Sequence, residues 1–349
     1  MKKVAEHIYQ IKSSWEPQRT RASNLYLIHG DSRSLLIDAG FCNQTSMDTV
    51  ERLLGQLSVP WNHLDVFVTH NHPDHAGLAG ALSEKGARIF MKPEELQSCA
   101  IVCSYYSDPE HGGMELLHSY GFSQWQAKKL MARSQAPEYR YHDYPWKGFP
   151  VTDVQTGQHL RYGEYDLEVL SLPGHTMHQI GLVERTHKWL FTSDTLSKRQ
   201  VLTLASVQPG AQQLHIHLQT LDRLTKDFGD FWVVPGHYNP FYGTKKAVQN
   251  TKRYFAHMLQ KVWNAMEAGN GEPWTLVEIV QKVFRYDPSA FFEEETLKIH
   301  FRLANTLSCL DELVRQGGLT VKQKNGVWYW AKFASLPCFA RSGAPSLPN

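Results

Sequence analysis

The stretch "FVTHNHPDHAG", residues 67–77, carries three histidines and one aspartate between His70 and His75. Such side chains fill a hydrophobic core poorly, because burying an imidazole or a carboxylate costs free energy unless the group is paired. They follow "LDVFV" (64–68), an apolar run that predicts a buried strand. Pro73 suits the first turn of a helix after it. The stretch is therefore either a polar loop or part of a site that needs nitrogen and carboxylate ligands together.

Three further predicted strands end in residues that can bind a metal ion. His175 follows "LEVLSLPG", Asp194 follows "KWLFTS" and His237 follows "FWVVPG". Considered by itself, His175 or His237 would be interpreted as a turn residue, and Asp194 as a helix N-cap. The repeated Pro-Gly-His pattern and the cluster at residues 70–75 favour metal binding instead, since strand ends can bring distant residues to one edge of a sheet.

The predicted ligand set contains five imidazoles and two carboxylates. Its members are His70, His72, Asp74, His75, His175, Asp194 and His237. Seven ligands are too many for one tetrahedral zinc ion, so the pattern predicts two divalent ions that share a carboxylate. The mixture of imidazole and carboxylate favours zinc, with iron or manganese as the alternatives.

Composition excludes several classes of function. With a net charge of +2 and 42% hydrophobic residues in 349, the chain is a globular protein that would not bind nucleic acid through bulk charge. Its five cysteines contain no CxxC pair, which indicates reduced thiols and a cytoplasmic location. The N-terminus lacks the apolar region of a signal peptide, and no apolar run reaches the length of about 20 residues that spans a bilayer.

The pattern of elements predicts two domains. Residues 1–268 read as short strands and helices, with a helical, aromatic insertion at about 93–148 that is either a lid over the site or extra packing. Residues 273–332 read as two amphipathic helices and a hairpin with Asn325-Gly326 at its turn, the order of a winged-helix-like domain. The composition of residues 335–349 predicts a disordered tail.

Four motifs, in order along the chain, resemble those of the metallo-β-lactamase-fold hydrolase superfamily: "THNHPDH", "LPGHT", "TSDT" and "VPGH". The resemblance covers roughly residues 1–265. It implies an α+β fold, a four-layer αββα sandwich in which two sheets pack face to face between helices. By position it implies that one ion binds to His70, His72 and His175, that the other binds to Asp74, His75 and His237, and that Asp194 bridges them. Asp38, in "LIDAG", matches a family residue that supports the site from behind.

The intact ligand set is similar to that of hydroxyacylglutathione hydrolases, acyl-homoserine lactonases and RNA-processing nucleases. Zinc β-lactamases typically carry Cys where Asp194 stands, and diiron members typically carry Glu where His72 stands, so β-lactam hydrolysis and redox chemistry are disfavoured. The favoured activity is metal-dependent hydrolysis of an ester, thioester or lactone by metal-bound hydroxide. Asp74 would relay the proton. Tyr238 would donate to an oxyanion or serve a structural role, and Tyr105, Tyr106 and Trp125 would line an acyl pocket or pack in the core.

Two other functions stay open. A metal-dependent phosphodiesterase or nuclease could use the same ions, but residues 274–332 mix basic and acidic side chains without a clear basic stripe. A non-catalytic or slow ligand-sensing protein could keep the fold. We therefore expect a small-molecule acyl substrate as the partner and no membrane contact, with a homodimer as an open question.

Overall fold

The computed structural model describes residues 1–14, 22–98, 113–134, 148–198, 203–267, 271–286 and 296–333. Its first sheet has six strands in chain order: β1 (Lys2–Ala5), β2 (Ile8–Ser13), β3 (Ser23–Ile28), β4 (Ser34–Ile37), β5 (Leu64–Phe67) and β6 (Arg88–Phe90). Neighbours are antiparallel up to β4, and β4, β5 and β6 are parallel.

The second sheet also follows chain order, with β12 at one edge and β7 at the other. Its strands are β7 (His159–Tyr162), β8 (Tyr165–Ser171), β9 (Ile180–Glu184), β10 (Trp189–Ser193), β11 (Trp232–Pro235) and β12 (Phe241–Tyr242). Only the β10–β11 pair is parallel. Helices among the described residues of this part of the chain include α1 (Gln44–Gln56), α2 (Pro73–Ala76), α3 (Ala79–Glu84), α4 (Met114–Ser119), α5 (Gln124–Ser134), α6 (Gln213–Asp227) and α7 (Lys245–Glu267).

The alternation of side chains along the strands places the two sheets face to face. In β3, Tyr26 and Ile28 belong to the cluster between the sheets, while Leu25 and Leu27 pack in another cluster with residues of α1 and α3. The outer face of the second sheet packs on α6 and α7 through residues such as Leu224. Because successive side chains of a strand point to opposite faces, this pattern gives helix, sheet, sheet and helix layers. The predicted αββα sandwich is confirmed.

A C-terminal unit follows, which we define as residues 274–332. It consists of β13 (Trp274–Thr275), α8 (Leu276–Phe284), α9 (Thr296–Arg315), β14 (Leu319–Lys324) and β15 (Val327–Lys332). The predicted hairpin is present, with Asn325 and Gly326 at positive φ in the turn. Apolar residues of α8 and α9 form one buried cluster with residues of α7, such as Phe255 and Met258. The assignment of this unit as a separate winged-helix-like domain stays a prediction.

Several predictions fall on parts of the chain outside the described residues. These are residues 99–112 and 135–147 of the insertion at 93–148, with Tyr105 and Tyr106 among them, and the tail at 335–349. Trp125 of α5 is described; its side chain is 65% exposed, and the ammonium of Lys129 lies over its ring. Within the described ranges, no helix combines the length and the apolar character that crossing a bilayer requires.

Asp65 of β5 joins the sheets away from the predicted ligands. Its buried carboxylate accepts hydrogen bonds from Arg33 and Arg88, and the hydroxyl of Tyr162 in β7 donates to it at 2.7 Å. Burial alone would raise the pKa of Asp65, but these three donors hold that pKa below its usual value. The carboxylate therefore stays ionised and connects the first sheet to the second.

We expect Asp65→Asn to lower the free energy of unfolding by roughly 2–4 kcal/mol at pH 7, because it leaves a buried hydrogen-bond network incomplete while both arginines keep some contact with water. The folded pKa of this carboxyl is lower than the unfolded one. Its stabilisation is therefore present above about pH 4 and is lost as the pH falls through the folded pKa. Urea unfolding across this pH range measures both effects. Asp166→Asn removes an exposed carboxylate and should change stability by less than about 0.5 kcal/mol. Equal losses of stability in Asp65→Asn and Asp166→Asn would contradict the role of Asp65 as the buried carboxylate that connects the two sheets.

Candidate metal centre

The structure brings all seven predicted ligands to one end of the sandwich. His70 lies just after β5, and α2 begins at Pro73, so that His72 is its N-cap and Asp74 and His75 are in its single turn. The other three follow strands of the second sheet: His175 after β8, Asp194 directly after β10 and His237 two residues after Pro235 of β11. His70, His75, His175, Asp194 and His237 are buried, and His72 and Asp74 are partly buried.

A first group of ligand atoms comes from three imidazoles and one carboxylate. His70 Nε2 lies 3.1 Å from His72 Nδ1, and His72 Nδ1 lies 2.8 Å from His175 Nε2. Asp194 Oδ2 is 3.6 Å from His175 Nε2. One ligand atom from each residue falls within 4.8 Å of the others. These separations are close to the roughly 3.3 Å between nitrogens at 2.0–2.1 Å from a tetrahedral zinc ion.

A second group lies against the first. Asp74 Oδ2 is 3.3 Å from His75 Nε2 and 3.2 Å from His237 Nε2. The carboxylate of Asp194 reaches this group as well: its Oδ1 is 3.5 Å from His75 Nε2 and its Oδ2 is 3.3 Å from His237 Nε2. Asp194 is thus the residue that contacts both groups.

Hydrogen bonds on the outer side of three imidazoles set which nitrogen faces the centre. The Nδ1 atoms of His75, His175 and His237 lie 2.8, 2.5 and 3.2 Å from Asp38 Oδ2, Thr203 O and Ala22 O. Because these partners are oxygen acceptors, each Nδ1 carries a proton and each Nε2 is the ring atom that faces the centre. A carboxylate or carbonyl behind a histidine in this way orients the ring as a metal ligand.

Asp38 occupies the position behind the site that the sequence motif predicted. Its backbone has φ +62°, and its Oδ1 accepts hydrogen bonds from the amide and the hydroxyl of Thr69 while its Oδ2 lies beside His75. Ser193 and Tyr238 also have positive φ, at +45° and +67°. Strained non-glycine backbone at three points around one cluster indicates a site whose geometry the surrounding structure enforces.

The charges at the two groups differ. Burial lowers the pKa of His72 to about 4 and that of His175 to about 3, so that these imidazoles are neutral and offer lone pairs. Burial alone would raise the pKa of Asp74 and of Asp194, but the charges of His75 and His237 hold both well below the usual value. Burial alone would lower the pKa of His75 and of His237, but the neighbouring carboxylates raise both, that of His237 to about 10. The first group therefore combines neutral imidazoles with an ionised carboxylate, the donor set that a divalent cation prefers, and the carboxylates of the second group face charged imidazoles.

Unpartnered polar atoms test whether a metal ion fits here. Among the described residues, His75 Nε2 and Asp194 Oδ1 are buried and have no hydrogen-bond partner. Leaving such atoms unsatisfied costs about 1–3 kcal/mol each. Both atoms face the same space, and a Cβ added to Gly236 would come within 2.3 Å of Asp194 Oδ1. The residues present thus fit a bound cation.

Glu95 is a buried residue that the sequence did not single out. Its Oε1 accepts hydrogen bonds from the hydroxyl of Thr176 at 2.6 Å and the amide of His178 at 3.0 Å, and its Oε2 accepts from the amide of Asn71 at 3.0 Å. Burial raises the pKa of Glu95. One carboxyl therefore connects the loop that carries His70 and His72 to the loop that carries His175.

His300 was also missed. The pKa of His72 is lowered mainly by burial; the charges of Asp74 and Asp194 oppose this shift, and those of His75 and His300 add to it. His300 lies in α9 of the C-terminal unit. The C-terminal unit therefore lies within electrostatic range of the centre. No residue type or spacing marked this amphipathic helix as part of the site.

Comparisons with known proteins agree with this fold. The model of the metallo-beta-lactamase superfamily matches residues 19–96. The acyl-coenzyme A thioesterase MBLAC2 of Gallus gallus is 25% identical over 265 residues, which are 73% of this chain and 86% of the relative. A hydroxyacylglutathione hydrolase of Bdellovibrio bacteriovorus is 28% identical over 109 residues, 31% of this chain and 38% of the relative.

Two solved structures share the fold. A beta-lactamase domain protein from Burkholderia ambifaria has a TM-score of 0.78 at 22% identity, with 95% of this chain and 93% of that chain covered. A metallo-beta-lactamase family protein from Thermus thermophilus has a TM-score of 0.71 at 21% identity, with 95% and 100% covered. At these identities the likeness concerns the fold.

We expect Glu95→Gln to lower the free energy of unfolding by roughly 1–3 kcal/mol, because one carboxylate oxygen that accepts hydrogen bonds becomes an amide group that cannot. Chemical unfolding of the purified protein measures the change. Glu94→Gln is the matched control, since Glu94 is the exposed glutamate next to Glu95 in the chain, and it should change stability by less than about 0.5 kcal/mol. If both substitutions are equally mild, Glu95 does not hold the two loops together.

Proposed function

The chain belongs to the metallo-beta-lactamase superfamily, and from this premise we propose that it is a hydrolase that uses two divalent metal ions to cleave thioesters. Esters and lactones form the wider class of acyl substrates that the same chemistry could serve. Both curated relatives support the narrower choice, since acyl-coenzyme A and hydroxyacylglutathione are both thioesters.

The observation that carries the proposal is the convergence of the two ligand groups on Asp194. We propose that His70, His72 and His175 hold one ion, that Asp74, His75 and His237 hold the other, and that Asp194 bridges the pair. Zinc is the first choice because its coordination accepts both imidazole and carboxylate, with iron and manganese as alternatives. When bound, the ions would supply Lewis acidity and lower the pKa of water toward neutrality.

The residues of the chain would do the rest of the chemistry. Asp74 is partly exposed and its pKa is held well below the usual value, so its carboxylate stays ionised beside the centre and can accept the proton of the attacking water. From there the proton would pass to the sulfur of the leaving group. The hydroxyl of Tyr238 would donate to the oxyanion of the tetrahedral intermediate. The side chain of Asn24 donates to the carbonyl of Tyr238, which fixes the backbone at this residue.

Substitution of the ligands gives the first test. We expect about two metal ions per chain in the wild type and about one in His72→Ala, because only the first group is broken. Asp194→Ala should lose more metal than His72→Ala, since the carboxylate of Asp194 contacts both groups. Elemental analysis of the purified variants measures the metal content. His159→Ala and Asp230→Ala change exposed residues of the same types and should keep the wild-type content. Two ions retained in Asp194→Ala would refute the assignment.

A substrate panel gives the second test. With acyl-coenzyme A, an S-acylglutathione, a lactone and an activated phosphodiester, we expect release of thiol from the thioesters to be at least about tenfold faster than turnover of the phosphodiester. Removal of metal by a chelator should abolish the activity, and zinc or manganese should restore it. Faster cleavage of the phosphodiester would favour a nuclease. No turnover at full metal occupancy would favour a ligand-sensing protein.

A further inference from the structure

The orientation of His175 depends on a short segment far along the chain. The Nδ1–H of His175 donates to the carbonyl of Thr203 at 2.5 Å, and the amide of Ala205 donates to the carbonyl of His175 at 2.9 Å. Residues 203–205 therefore hold both the ring and the backbone of this ligand. The Nε2 atom is left to face His72 at 2.8 Å. Any shift of this segment would rotate the imidazole out of the first ligand group.

A residue of the C-terminal unit holds that segment. The amide of Leu204 donates to Asn305 Oδ1 at 3.2 Å, and Asn305 is a buried residue of α9. Asn305 Nδ2 in turn donates to the hydroxyl of Tyr254 in α7 at 3.3 Å, which fixes the orientation of its side-chain amide. The side chain of Leu204 packs in the same apolar cluster as residues of α9. The contact between Asn305 and Leu204 is thus buried and specific.

A second contact from α9 reaches His175 by another route. Both carboxylate oxygens of Asp311 accept a hydrogen bond from the amide of Gly210 at 3.0 Å. Gly210 lies just before α6, and Gln213 in the first turn of α6 donates its Nε2–H₂ to the carbonyls of Gly174 and His175 at 2.8 and 2.9 Å. Asp311 and Asn305 therefore fix the two ends of residues 203–213, and both ends contact His175.

We propose that Asn305 and Asp311 are positioning residues for the metal ligand His175, so that α9 of the C-terminal unit forms part of the metal centre. Hydrogen-bond partners behind a metal ligand typically change metal affinity by about 10- to 100-fold when they are removed. The inference rests on the proposed metal site but not on the proposed substrate. It also implies that changes in α9 alter the first ligand group. Within the described residues, Asp74, His75 and His237 have no comparable hydrogen-bonded connection to α9.

The test compares substitutions at Asn305 by metal binding alone. Asn305→Leu removes the acceptor but keeps the branched shape and the number of heavy atoms of the side chain, and Asn305→Asp keeps an oxygen that can accept from Leu204. Ser308→Ala is the matched control, since the Ser308 hydroxyl is buried in the same helix and donates to the carbonyl of Ala304 within it. Zinc affinity is measured by competition with a chelating indicator, and the absorption spectrum of the cobalt-substituted protein reports the geometry of the bound ion.

We expect Asn305→Leu to weaken binding of one of the two ions by about 10- to 100-fold and to alter the cobalt spectrum, with the other ion little affected. Asn305→Asp should restore most of the affinity, and Ser308→Ala should match the wild type. If Asn305→Leu only lowers the melting temperature while both affinities and the spectrum stay unchanged, the role is structural and the inference is wrong.

A variant at the other end of the segment keeps the test decisive if Asn305→Leu does not fold. Asp311→Asn retains one acceptor for Gly210 and should give a smaller loss for the same ion; an unchanged affinity and spectrum would count against the inference. Because no substrate is used, a failure of thioester hydrolysis leaves these results valid. A wild type that binds no metal would overturn both proposals.

Discussion

The seven convergent side chains come from both sheets, so the centre depends on how the sheets are fixed to each other at this end. Backbone hydrogen bonds join the two sheets at this end. The amide of Ile180 donates to the carbonyl of Thr69 at 3.0 Å, and the amide of Asn24 donates to the carbonyl of Gly236 at 2.7 Å. The hydroxyl of Thr69 also lies 2.8 Å from that of Ser193. These hydrogen bonds of the protein itself therefore hold the two sheets, and with them the seven side chains, in their relative positions.

Much of the fold and the convergence of the seven side chains could be predicted from the sequence, because both follow from local patterns. Strand alternation and the polar residues after apolar runs placed His70, His175, Asp194 and His237 at strand ends. Physical constraints also explain why glycine occurs in the two Pro-Gly-His motifs. Gly174 has φ +143° and packs on the ring of His217, and Gly236 lies against Asp194. A side chain at either position would displace a neighbour of the site.

The supporting residues could not be predicted, because their roles arise only from tertiary structure. Glu95 and Glu94 are adjacent glutamates, and nothing in the sequence distinguishes the buried one that links two loops from the exposed one. Asn305 lies 101 positions from Leu204 in a helix whose pattern indicates only packing. The sequence motifs located the ligands but not the residues that hold them in place.

The two ligand groups depend on different parts of the fold. In the second group, the imidazoles of His75 and His237 are oriented by Asp38 and by the carbonyl of Ala22, both of which belong to the first sheet or its connections. In the first group, His175 is oriented by residues 203–205, which α9 holds in turn. The apolar cluster shared by α7, α8 and α9 ties the C-terminal unit to the sandwich. A disturbance of this cluster would therefore reach the first group through His175 and leave the hydrogen bonds of the second group in place.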